Sequence, residues 1–493
     1  MSLDPGGPPQ DVLEEVARRY RRALNSVGSV QQWSLDGFDR TGIPVEATVW
    51  TGRSRSMVEA HGVGYGASTA AATVGALGEV AERVVSAQAL QQLPTVRASY
   101  QQMTVEHGDA GVADPLSLTL PAGSPYTADR PISWVPAVRW RTGEQVWVPV
   151  EFIANDPTGL PVDGPEPLIT PITNGLGAGD TVERAVGHGL LELVQRDGDT
   201  VSFRAMDEGV LIDLNTVTDT GAKAVINQLR LVGIQPVVKL ASTEFACVVY
   251  AMGRDSSHHA APLTPTAIGE AAHPDAGSAI TSALLEYASS RARRAFAFGP
   301  LTRVEELLPT YHRLEQSLSV GPQEPRALTE MRKWAAMDTG EQRRLAEPIL
   351  NHHTRTVDAT ELPTAPADLD PAKLLQLMLH RLAEFDVLTV VGHIDGIFAA
   401  KVLVPGLEVE TMSYLRIGPR VLQRLAQRGS PLVGYGPATT PSQLPVRMTP
   451  AQLTLHGPAW IDRNEVDNTV GQLYPLYREP RRHTIHRLPA TRQ

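Results

Sequence analysis

Asn174-Gly-Leu-Gly-Ala-Gly-Asp-Thr-Val-Glu-Arg-Ala-Val-Gly-His-Gly-Leu-Leu-Glu-Leu-Val-Gln-Arg-Asp197 carries the clearest structural pattern in this sequence of 493 residues. Glycine alternates with other residues at its start, and glycine lets a backbone approach another group closely because it has no side chain. The apolar positions of residues 180–197 have helical spacing and predict a helix. Glu192 and Gln195 lie three residues apart near its end and so share one face, and Arg196 follows. The segment therefore predicts a glycine-rich loop and a helix that presents oxygen-bearing side chains.

The same pattern also occurs 113 residues earlier in the chain. Residues 62–83 and residues 175–196 are identical at seven of 22 positions, and Glu82 corresponds to Gln195. The identical pairs are Gly62 with Gly175, Gly64 with Gly177, Gly66 with Gly179, Ala72 with Ala185, Leu77 with Leu190, Glu79 with Glu192 and Arg83 with Arg196. This repeat favours one large core built from two related halves.

The two predicted helices would bring several carboxylates together if they faced each other. Such clustering raises the pKa of each carboxyl group, and burial adds to the effect. Mg²⁺ relieves it, because this ion binds carboxylate oxygens and keeps waters or phosphate oxygens as further ligands. Arg83 and Arg196 lie one residue beyond, where planar guanidinium groups can bind phosphate. The repeat therefore predicts a site for Mg²⁺ and a nucleotide.

Two other interpretations of the pattern are weaker. A single helix of this type is typical of a solvated face with ion pairs, but the duplication favours a site. The glycines of residues 62–66 also resemble a dinucleotide-binding loop, although the later glycine and the acidic residue after a second strand are missing. The sequence has no Gly-x-x-x-x-Gly-Lys-Ser/Thr phosphate loop.

Composition excludes several classes of protein. Hydrophobic residues make up 42% and charged residues 20%, which is the balance of a globular protein and not of a collagen, a coiled coil or a disordered chain. No apolar run reaches the ~18 to 20 residues that cross a bilayer, and the start lacks a signal peptide, so we expect a cytoplasmic protein. The net charge of −10 disfavours a general nucleic-acid binder. Cys247, the single cysteine, lies in an apolar run and is expected to be a buried thiol.

The order of helical and strand-like patterns predicts an α/β (α+β) fold. Helices are predicted over residues 11–23, 68–86, 180–197, 221–231 and 277–298, and strands over 42–50, in two runs within 132–153, and over 235–240, 247–252, 387–391 and 397–404. The expected organisation is an N-terminal helix and tail (1–33), a core with the duplicated halves (34–299), a mainly helical insertion (300–375), closing strands of the core (376–430) and a C-terminal extension (431–493). The five arginines of residues 478–492 are most simply a solvated tail.

At these residues the sequence resembles the YcaO family of ATP-dependent peptide-modifying enzymes. The resemblance is clearest over residues 174–197 and continues through residues 56–83, through Gly269 to Asp275 with Ala283 to Glu286 and Arg291, and through Val404 to Glu408. It implies a YcaO-like fold, with mixed sheets, packed helices and an internal pseudo-duplication around an ATP and Mg²⁺ site. It also implies activation of a backbone amide in a ribosomally made peptide, in which ATP phosphorylates the amide oxygen. The products of such activation are a heterocycle, a thioamide, an amidine or a cleaved amide.

The resemblance assigns roles by position. It implies catalytic roles for Glu79, Glu192 and Arg196, and metal binding by Glu79, Glu82, Glu192 and Gln195. It implies a nucleotide site formed by Gly64, Tyr65, Gly66, Arg83, Asp180, His188, Arg196, Glu286 and Arg291. Glu286 either contacts the nucleotide or only orients Arg291.

The sequence departs from the family pattern at several positions of the site. Tyr65 replaces a common lysine, Gly75 a serine, Asp180 an asparagine, Arg184 a glutamate and Gln195 a fourth metal-binding glutamate. Gln195 removes one negative charge from the site, and Tyr65 removes one positive charge. These changes are compatible with a tuned site and equally with a weakened one. A catalytically weakened scaffold that binds the precursor peptide or a partner enzyme is therefore the alternative function. The chain also ends without the Pro-x-Pro-x-Pro terminus of azoline-forming members, which favours thioamide, amidine or amide-cleaving chemistry.

The expected partner is a ribosomally made precursor peptide. About 45 residues precede the first predicted strand, too few for a complete leader-binding domain, so a separate leader-binding or TfuA-like protein is a candidate to present the substrate. A second copy of the chain, forming a homodimer, is another candidate partner. We expect neither nucleic acid nor a membrane as a partner.

Overall fold

The computed structural model describes residues 9–52, 59–257, 260–318, 320–321, 323–366, 369–409 and 411–488. Ser56, at the start of one resembling stretch, and Arg492, in the basic tail, lie outside these ranges. The strands are β1 (Gly28–Ser34), β2 (Val45–Gly52), β3 (Glu59–Tyr65), β4 (Val96–Ser99), β5 (Pro131–Arg139), β6 (Gln145–Pro149), β7 (Leu176–Gly179), β8 (Val210–Asp213), β9 (Ile234–Ser242), β10 (Cys247–Asp255), β11 (Gly269–His273), β12 (Arg355–Asp358), β13 (Leu388–Ile394), β14 (Ile397–Leu403), β15 (Val433–Tyr435), β16 (Gln443–Pro445) and β17 (Ala459–Asp462).

The helices follow the same chain order. They are α1 (Gln10–Val27), α2 (Thr69–Gln92), α3 (Tyr100–His107), α4 (Val150–Ile153), α5 (Val182–Asp199), α6 (Thr220–Leu231), α7 (Ala276–Phe298), α8 (Leu301–Leu307), α9 (Pro309–Ser317), α10 (Pro325–Ala336), α11 (Thr339–Asn351), α12 (Pro371–Arg381), α13 (Pro419–Gln427), α14 (Pro450–His456), α15 (Arg463–Val470) and α16 (Thr484–Arg487).

Four sheets organise the chain. An antiparallel sheet has the order β1-β2-β3, and a five-stranded sheet has the order β11-β10-β9-β8-β12, in which only β12 and β8 are parallel. A six-stranded sheet has the order β4-β5-β13-β14-β7, with β6 paired to β5. The fourth sheet, β15-β17-β16, is small and lies in the C-terminal part of the chain. The predicted α/β fold is therefore confirmed as a mixed-sheet architecture.

Three strand–helix units form a ring at the centre of the fold: β3 with α2, β7 with α5, and β11 with α7. Each helix packs on the strand of its own unit and also on the sheet of another unit. Helix α2 lies between β3 and the six-stranded sheet, α5 between β7 and the five-stranded sheet, and α7 between β11 and β3. Because each helix is covered on two sides, its buried residues are not confined to one narrow stripe.

The close approach of strand and helix depends on glycine. In each unit, a Cβ atom on a strand glycine would overlap the backbone of the following helix. These glycines are Gly64 in β3, Gly177 in β7 and Gly269 in β11. No other residue type leaves this space free, so the glycines of the repeat are packing residues as well as loop residues.

The third unit extends the repeat seen in the sequence. Gly269 and Glu286 are 17 residues apart, which is also the separation of Gly62 from Glu79 and of Gly175 from Glu192. The predicted helices and strands of the core are otherwise confirmed, with shifts of a few residues at their ends.

Two local predictions were wrong. The strand-like run to residue 153 stops at Pro149, and residues 150–153 form one helical turn. The strand predicted over residues 42–50 is confirmed as β2, but it is not the first strand, because β1 (Gly28–Ser34) precedes it and pairs antiparallel with it. The alternation of β1 was weak because its sequence, Gly-Ser-Val-Gln-Gln-Trp-Ser, contains few apolar residues. Within the described residues, no helix is both long enough and apolar enough to cross a membrane.

Replacement of Gly64 by alanine tests the close approach of β3 and α2. The added methyl would overlap backbone atoms at Ala72 and Ala76, so strand and helix must separate, and we expect Gly64→Ala to lower the free energy of unfolding by roughly 1–3 kcal/mol. Gly78 in the same helix has no atom within 4 Å of its Cβ position, and Gly78→Ala should raise that free energy by about 0.5–1 kcal/mol. Urea denaturation of both variants measures the difference; equal effects would contradict the packing argument.

Candidate functional site

One glutamate from each helix of the ring binds the backbone of the strand before it. The bonds run from Val63 N–H to Glu79 (2.7 Å), from Gly175 N–H to Glu192 (2.9 Å) and from Glu270 N–H to Glu286 (3.0 Å). The three helices therefore each turn one carboxylate toward the centre of the ring.

Arginines neutralise two of these carboxylates. Arg83 donates to Glu79 at 3.1 Å, and an Arg196 nitrogen lies 3.6 Å from Glu192. Each arginine follows its glutamate by four residues, so the pair shares one helix face. The Nε atoms of Arg83 and Arg196 are buried, and neither has an acceptor among the described residues. These two guanidinium groups thus have donors left for an anion.

Two adjoining cavities lie between the helices. The Arg196 cavity has a volume of about 470 Å³ and is bordered by Asn174, Arg196, Arg204 and Glu270. The Glu79 cavity has a volume of about 630 Å³ and is bordered by Tyr65, Glu79 and Arg83. Both are lined by Glu286, Ser290, Arg293 and Glu479, and we call the two together the cleft.

Glu82 lies where α2 meets α5. Its carboxyl group is 14% exposed, and its Oε1 is 3.5 Å from Nδ1 of His188. The pKa of Glu82 is raised to about 7, mainly by burial; His188 opposes the rise, and the carboxylates of Glu192 and Glu79 contribute to it. The three glutamates of the duplicated pattern are therefore close enough to influence one another, as the sequence predicted.

The third helix adds an acid of the same kind. Burial, followed by the charge of Glu270, raises the pKa of Glu286 to about 8. Tyr65 borders the Glu79 cavity, and burial raises the pKa of its phenol, with Glu286 and then Glu79 acting in the same direction. The side chain at the position of the family's lysine is therefore a neutral phenol between two acids.

Glu270 is the strongest acid of the cleft wall. Burial opposes its ionisation, but the guanidinium groups of Arg196 and Arg204 lower its pKa to about 2. Arg196 donates a hydrogen bond to its Oε1, and Arg204 binds the same oxygen at 3.3 Å. Lys401 on β14 is instead near Glu192; it is buried and donates to the carbonyl of Ile172 at 2.6 Å. Burial lowers the pKa of Lys401 to about 7.

The C-terminal part of the chain enters the cleft, so the prediction of a solvated tail was wrong for the residues that the structure describes. Glu479 binds Arg293, and it lies 3.0 Å from Arg294. Arg481 pairs with Glu59, and His483 is fully buried. The arginines of this segment are held by glutamates of the core, which a count of charges along the sequence does not reveal.

The structure brings some predicted nucleotide-site residues to the cleft and places others elsewhere. Tyr65, Glu79, Arg83, Arg196 and Glu286 line it. Gly64 and Gly66 instead face helix α2, where their Cβ positions are occupied. His188 is 62% exposed beside Glu82, and Gln195 occupies on α5 the position that Glu82 occupies on α2. Asp180 pairs with Arg19 and Arg184 and is not among the residues that border the two cavities.

Arg291 requires a correction, because the structure buries it completely on the opposite side of α7. It donates to Asp39 at 2.9 Å and to Asp255 at 2.9 Å, so its donors serve internal ion pairs and not the cleft. Arg293 takes its place in the cleft. Glu286 therefore does not orient Arg291 from the cleft side.

The sequence did not identify several residues that line the cleft: Arg204, Glu270, Arg293, Arg294 and Glu479. It also did not identify two buried residues next to the site, Asp199 and Lys401. Arg293 could have been found, because a residue seven positions after Glu286 lies on the same helix face, whereas the fifth position, Arg291, does not. Glu270 directly follows the glycine of the third unit. The other residues converge only through long-range packing.

The residues present fit Mg²⁺ and a nucleotide together better than they fit an ion alone. Among the residues whose placement the structure gives, no three acidic, histidine or cysteine side chains are grouped closely enough to hold an ion. Mg²⁺ commonly binds through one or two carboxylates and completes its shell with phosphate oxygens and waters. The buried Nε atoms of Arg83 and Arg196 have no acceptor among the described residues, and an anion would supply one. Carboxylates beside such arginines suit a phosphate chain that carries Mg²⁺.

A family model and a related protein match most of the chain. The family model described as YcaO cyclodehydratase, ATP- and Mg²⁺-binding, matches residues 63–408. An uncharacterized protein from Methanothermobacter thermautotrophicus is 25% identical over 421 residues, which are 84% of this chain and 98% of that protein.

Two solved structures share the fold. YcaO from Methanopyrus kandleri bound with AMPPCP and Mg²⁺ has a TM-score of 0.56 and 21% identity, covering 83% of this chain and 94% of the other. A heterocyclase in complex with substrate and cofactor has a TM-score of 0.61 and 16% identity, covering 85% of this chain but 55% of the heterocyclase. The family match includes all three strand–helix units from residue 63 onward, and the chain therefore belongs to the YcaO family, whose members bind ATP and Mg²⁺.

Proposed function

We propose that this protein activates a backbone amide of a ribosomally made peptide by ATP- and Mg²⁺-dependent phosphorylation of the amide oxygen. The observation that carries the proposal is the cleft itself, in which carboxylates and arginines from two repeated helices face one space. Glu79, Arg83 and Arg196 line it, and Glu192 pairs with Arg196 from the same helix. Membership of an ATP- and Mg²⁺-binding family supports the same assignment.

The chemistry needs a leaving group made from an amide oxygen. A nucleophile adds to the amide carbonyl, the resulting oxygen accepts the terminal phosphoryl group, and phosphate then departs with that oxygen. Bound ATP and Mg²⁺ supply the phosphoryl group and part of the charge neutralisation. The chain itself supplies fixed cations near the transferred group, and positioned charge of this kind is the main protein contribution to phosphoryl transfer.

Each residue then has a definite task. Glu79, Glu82, Glu192 and Gln195 would each offer an oxygen to Mg²⁺, whose shell phosphate oxygens and waters would complete, since these side chains are not grouped closely enough to hold an ion alone. Arg83 and Arg196 would hold phosphate oxygens through the Nε donors that are without acceptors among the described residues. Glu286 and Tyr65 border the cleft where the third helix closes it. Arg293 is a further cation for the same anion, once it is released from Glu479 or shared with it.

The single cysteine limits the possible source of sulfur in a product. Cys247 is fully buried in β10, and burial raises the pKa of its thiol to about 12. A thiolate nucleophile from this residue is therefore excluded, and sulfur in a thiazoline or thioamide would come from the substrate or an external donor. Heterocycle, thioamide and amidine formation, and cleavage of the amide, are the product types that we propose.

A second candidate function is a scaffold that binds the precursor peptide or a partner enzyme. Glu479 favours it, because this carboxylate already occupies Arg293 and Arg294 in the position where an anion would bind. A solved heterocyclase of the same fold contains a substrate, which supports a peptide partner for either function. A separate leader-binding or TfuA-like protein, or a second copy of this chain, remains our proposal for the presenting partner.

Nucleotide binding is tested by calorimetry with AMPPCP and Mg²⁺. We expect Arg196→Ala to weaken binding roughly tenfold to a hundredfold, since it removes charge-assisted hydrogen bonds to phosphate. Arg184→Ala is the matched control, because Arg184 lies on the same helix but pairs with Asp180 at its exposed end. Binding that is absent in the wild type, or equally weak in both variants, would contradict the proposed site.

The protonation of Glu82 predicts how stability depends on pH. Its pKa rises from about 4.5 in the unfolded chain to about 7 in the fold, so the folded state binds the extra proton between these values. The contribution to the free energy of unfolding is therefore present at pH 4.5 and is lost as pH rises to 7, by about 1–3 kcal/mol. We expect Glu82→Gln to remove this slope in urea denaturation without Mg²⁺.

The control for that slope is Glu106→Gln, since the Glu106 side chain is 73% exposed on α3. Its stability profile should follow that of the wild type across the same pH range. A Glu82→Gln profile that also follows the wild type would show that Glu82 is ionised throughout and would contradict its burial among carboxylates.

Mass spectrometry of a candidate precursor peptide distinguishes the two functions. An enzyme should change the peptide mass by loss of one water, by exchange of oxygen for sulfur, or by a cleavage, and Glu192→Gln should abolish the change. A scaffold should bind the peptide without nucleotide. When a partner enzyme is supplied, the Glu192→Gln variant of a scaffold should still support turnover of the peptide. The Glu192 variant is informative because its carboxylate both binds the Gly175 N–H and faces Arg196.

A further inference from the structure

Two carboxyl groups meet beside the Arg196 cavity, and one of them, Glu270, lines its wall. Asp199, the last residue of α5, is 5% exposed and shares a hydrogen bond with Glu270 of β11. Both carboxyl oxygens of Asp199 and the Oε2 of Glu270 are buried, and within the described ranges none of the three receives a hydrogen bond from an N–H or hydroxyl donor. Two ionised carboxylates cannot remain in such contact without a cation or a proton between them.

The charges around the pair decide which acid is ionised. Arg196, on the same helix, and Arg204, just beyond it, both bind Oε1 of Glu270, which therefore stays ionised. Burial raises the pKa of Asp199 well above its usual range, and the charge and hydrogen bond of Glu270 raise it further. Arg204 and Arg196 lower the pKa of Asp199, but by less than burial and Glu270 together raise it.

A metal ion is a poor explanation for the bare oxygens. Within the described part of the chain, no group of three acidic, histidine or cysteine side chains could hold an ion here. The guanidinium groups that bind Glu270 would also repel a divalent cation at this position. A single proton satisfies the contact without any further ligand.

We propose that Asp199 is a positioning residue, held as a neutral carboxylic acid that donates a hydrogen bond to Glu270 and thereby fixes the carboxylate that aligns Arg196 and Arg204 in the cleft. The alignment matters for the anion of the proposed function, on which this part of the inference rests. The protonation of Asp199 stands independently of any ligand.

The consequence for Arg196 follows from its two neighbours. Its guanidinium group binds Glu270 and lies 3.6 Å from Glu192, which is itself fixed to the strand of its own unit. If Glu270 lost the hydrogen bond from Asp199, its carboxylate would be free to rotate, and Arg196 would lose one of the two anchors that hold it. Asparagine at position 199 preserves both the size and an N–H donor, whereas alanine removes the donor.

Infrared difference spectroscopy of the ligand-free protein at neutral pH tests the protonation directly. We expect the difference between wild type and Asp199→Asn to contain the carbonyl stretch of a protonated carboxyl group. Asp129→Asn is the control, because Asp129 is exposed and its hydrogen bond with Thr127 lowers its pKa, so only carboxylate bands should change. Loss of only carboxylate bands in Asp199→Asn would overturn the proposal.

Calorimetry with AMPPCP and Mg²⁺ tests the positioning role. We expect Asp199→Asn to bind within about twofold of the wild type and Asp199→Ala to bind roughly tenfold more weakly, the effect of one hydrogen bond to a charged group. Equal weakening in the two variants would overturn the positioning role, since a purely structural aspartate would not be rescued by asparagine. If the wild type bound no nucleotide, the proposed function would fail, and the infrared result would still decide the state of Asp199.

Discussion

A glutamate side chain that binds the backbone N–H of the strand before its own helix is the interaction on which the rest of this structure depends. It occurs in all three units of the ring, at distances of 2.7, 2.9 and 3.0 Å. The side chain can reach the strand only if helix and strand are almost in backbone contact, and strand glycines permit that contact. The same geometry that closes each unit therefore directs one carboxylate to the common centre. Fold and site share a single constraint.

The centre of the ring concentrates opposite charges that the folded chain compensates only in part. Glu82 and Glu286 have pKa values raised to about 7 and about 8, mainly by burial, while Glu270 is kept ionised by two arginines. Among the positive groups, the buried Nε donors of Arg83 and Arg196 have no acceptor within the described residues. A phosphate chain carrying Mg²⁺ supplies both missing signs of charge at once. This explains why the fold tolerates buried acids that hydrophobic residues would replace at lower cost.

The sequence was informative where chemistry repeats at a fixed spacing and uninformative where contacts are long-range. Glu79 with Arg83 and Glu192 with Arg196 were predicted because each pair is local to one helix and occurs twice. The third unit keeps four residues of the pattern, Gly269, Ala279, Leu284 and Glu286, but its cation moves from the fourth to the seventh position after Glu286. Both positions lie on the glutamate's face of the helix, whereas Arg291, at the fifth, turns toward Asp39 and Asp255. Helical phase would have distinguished these arginines, but Asp199, Lys401 and Glu479 become neighbours of the site only through tertiary packing.

The presence of Glu479 between Arg293 and Arg294 has a consequence for the order in which the protein is made. Glu479 is 186 residues further along the chain than Arg293, so the ribosome completes all three strand–helix units long before it supplies this partner. Until then Arg293 and Arg294 lack the counter-ion that this segment supplies. Residues that leave the ribosome late therefore set the charge balance of a wall whose helix was made much earlier, and a chain that stops before Glu479 keeps both arginines but not the carboxylate that pairs with them.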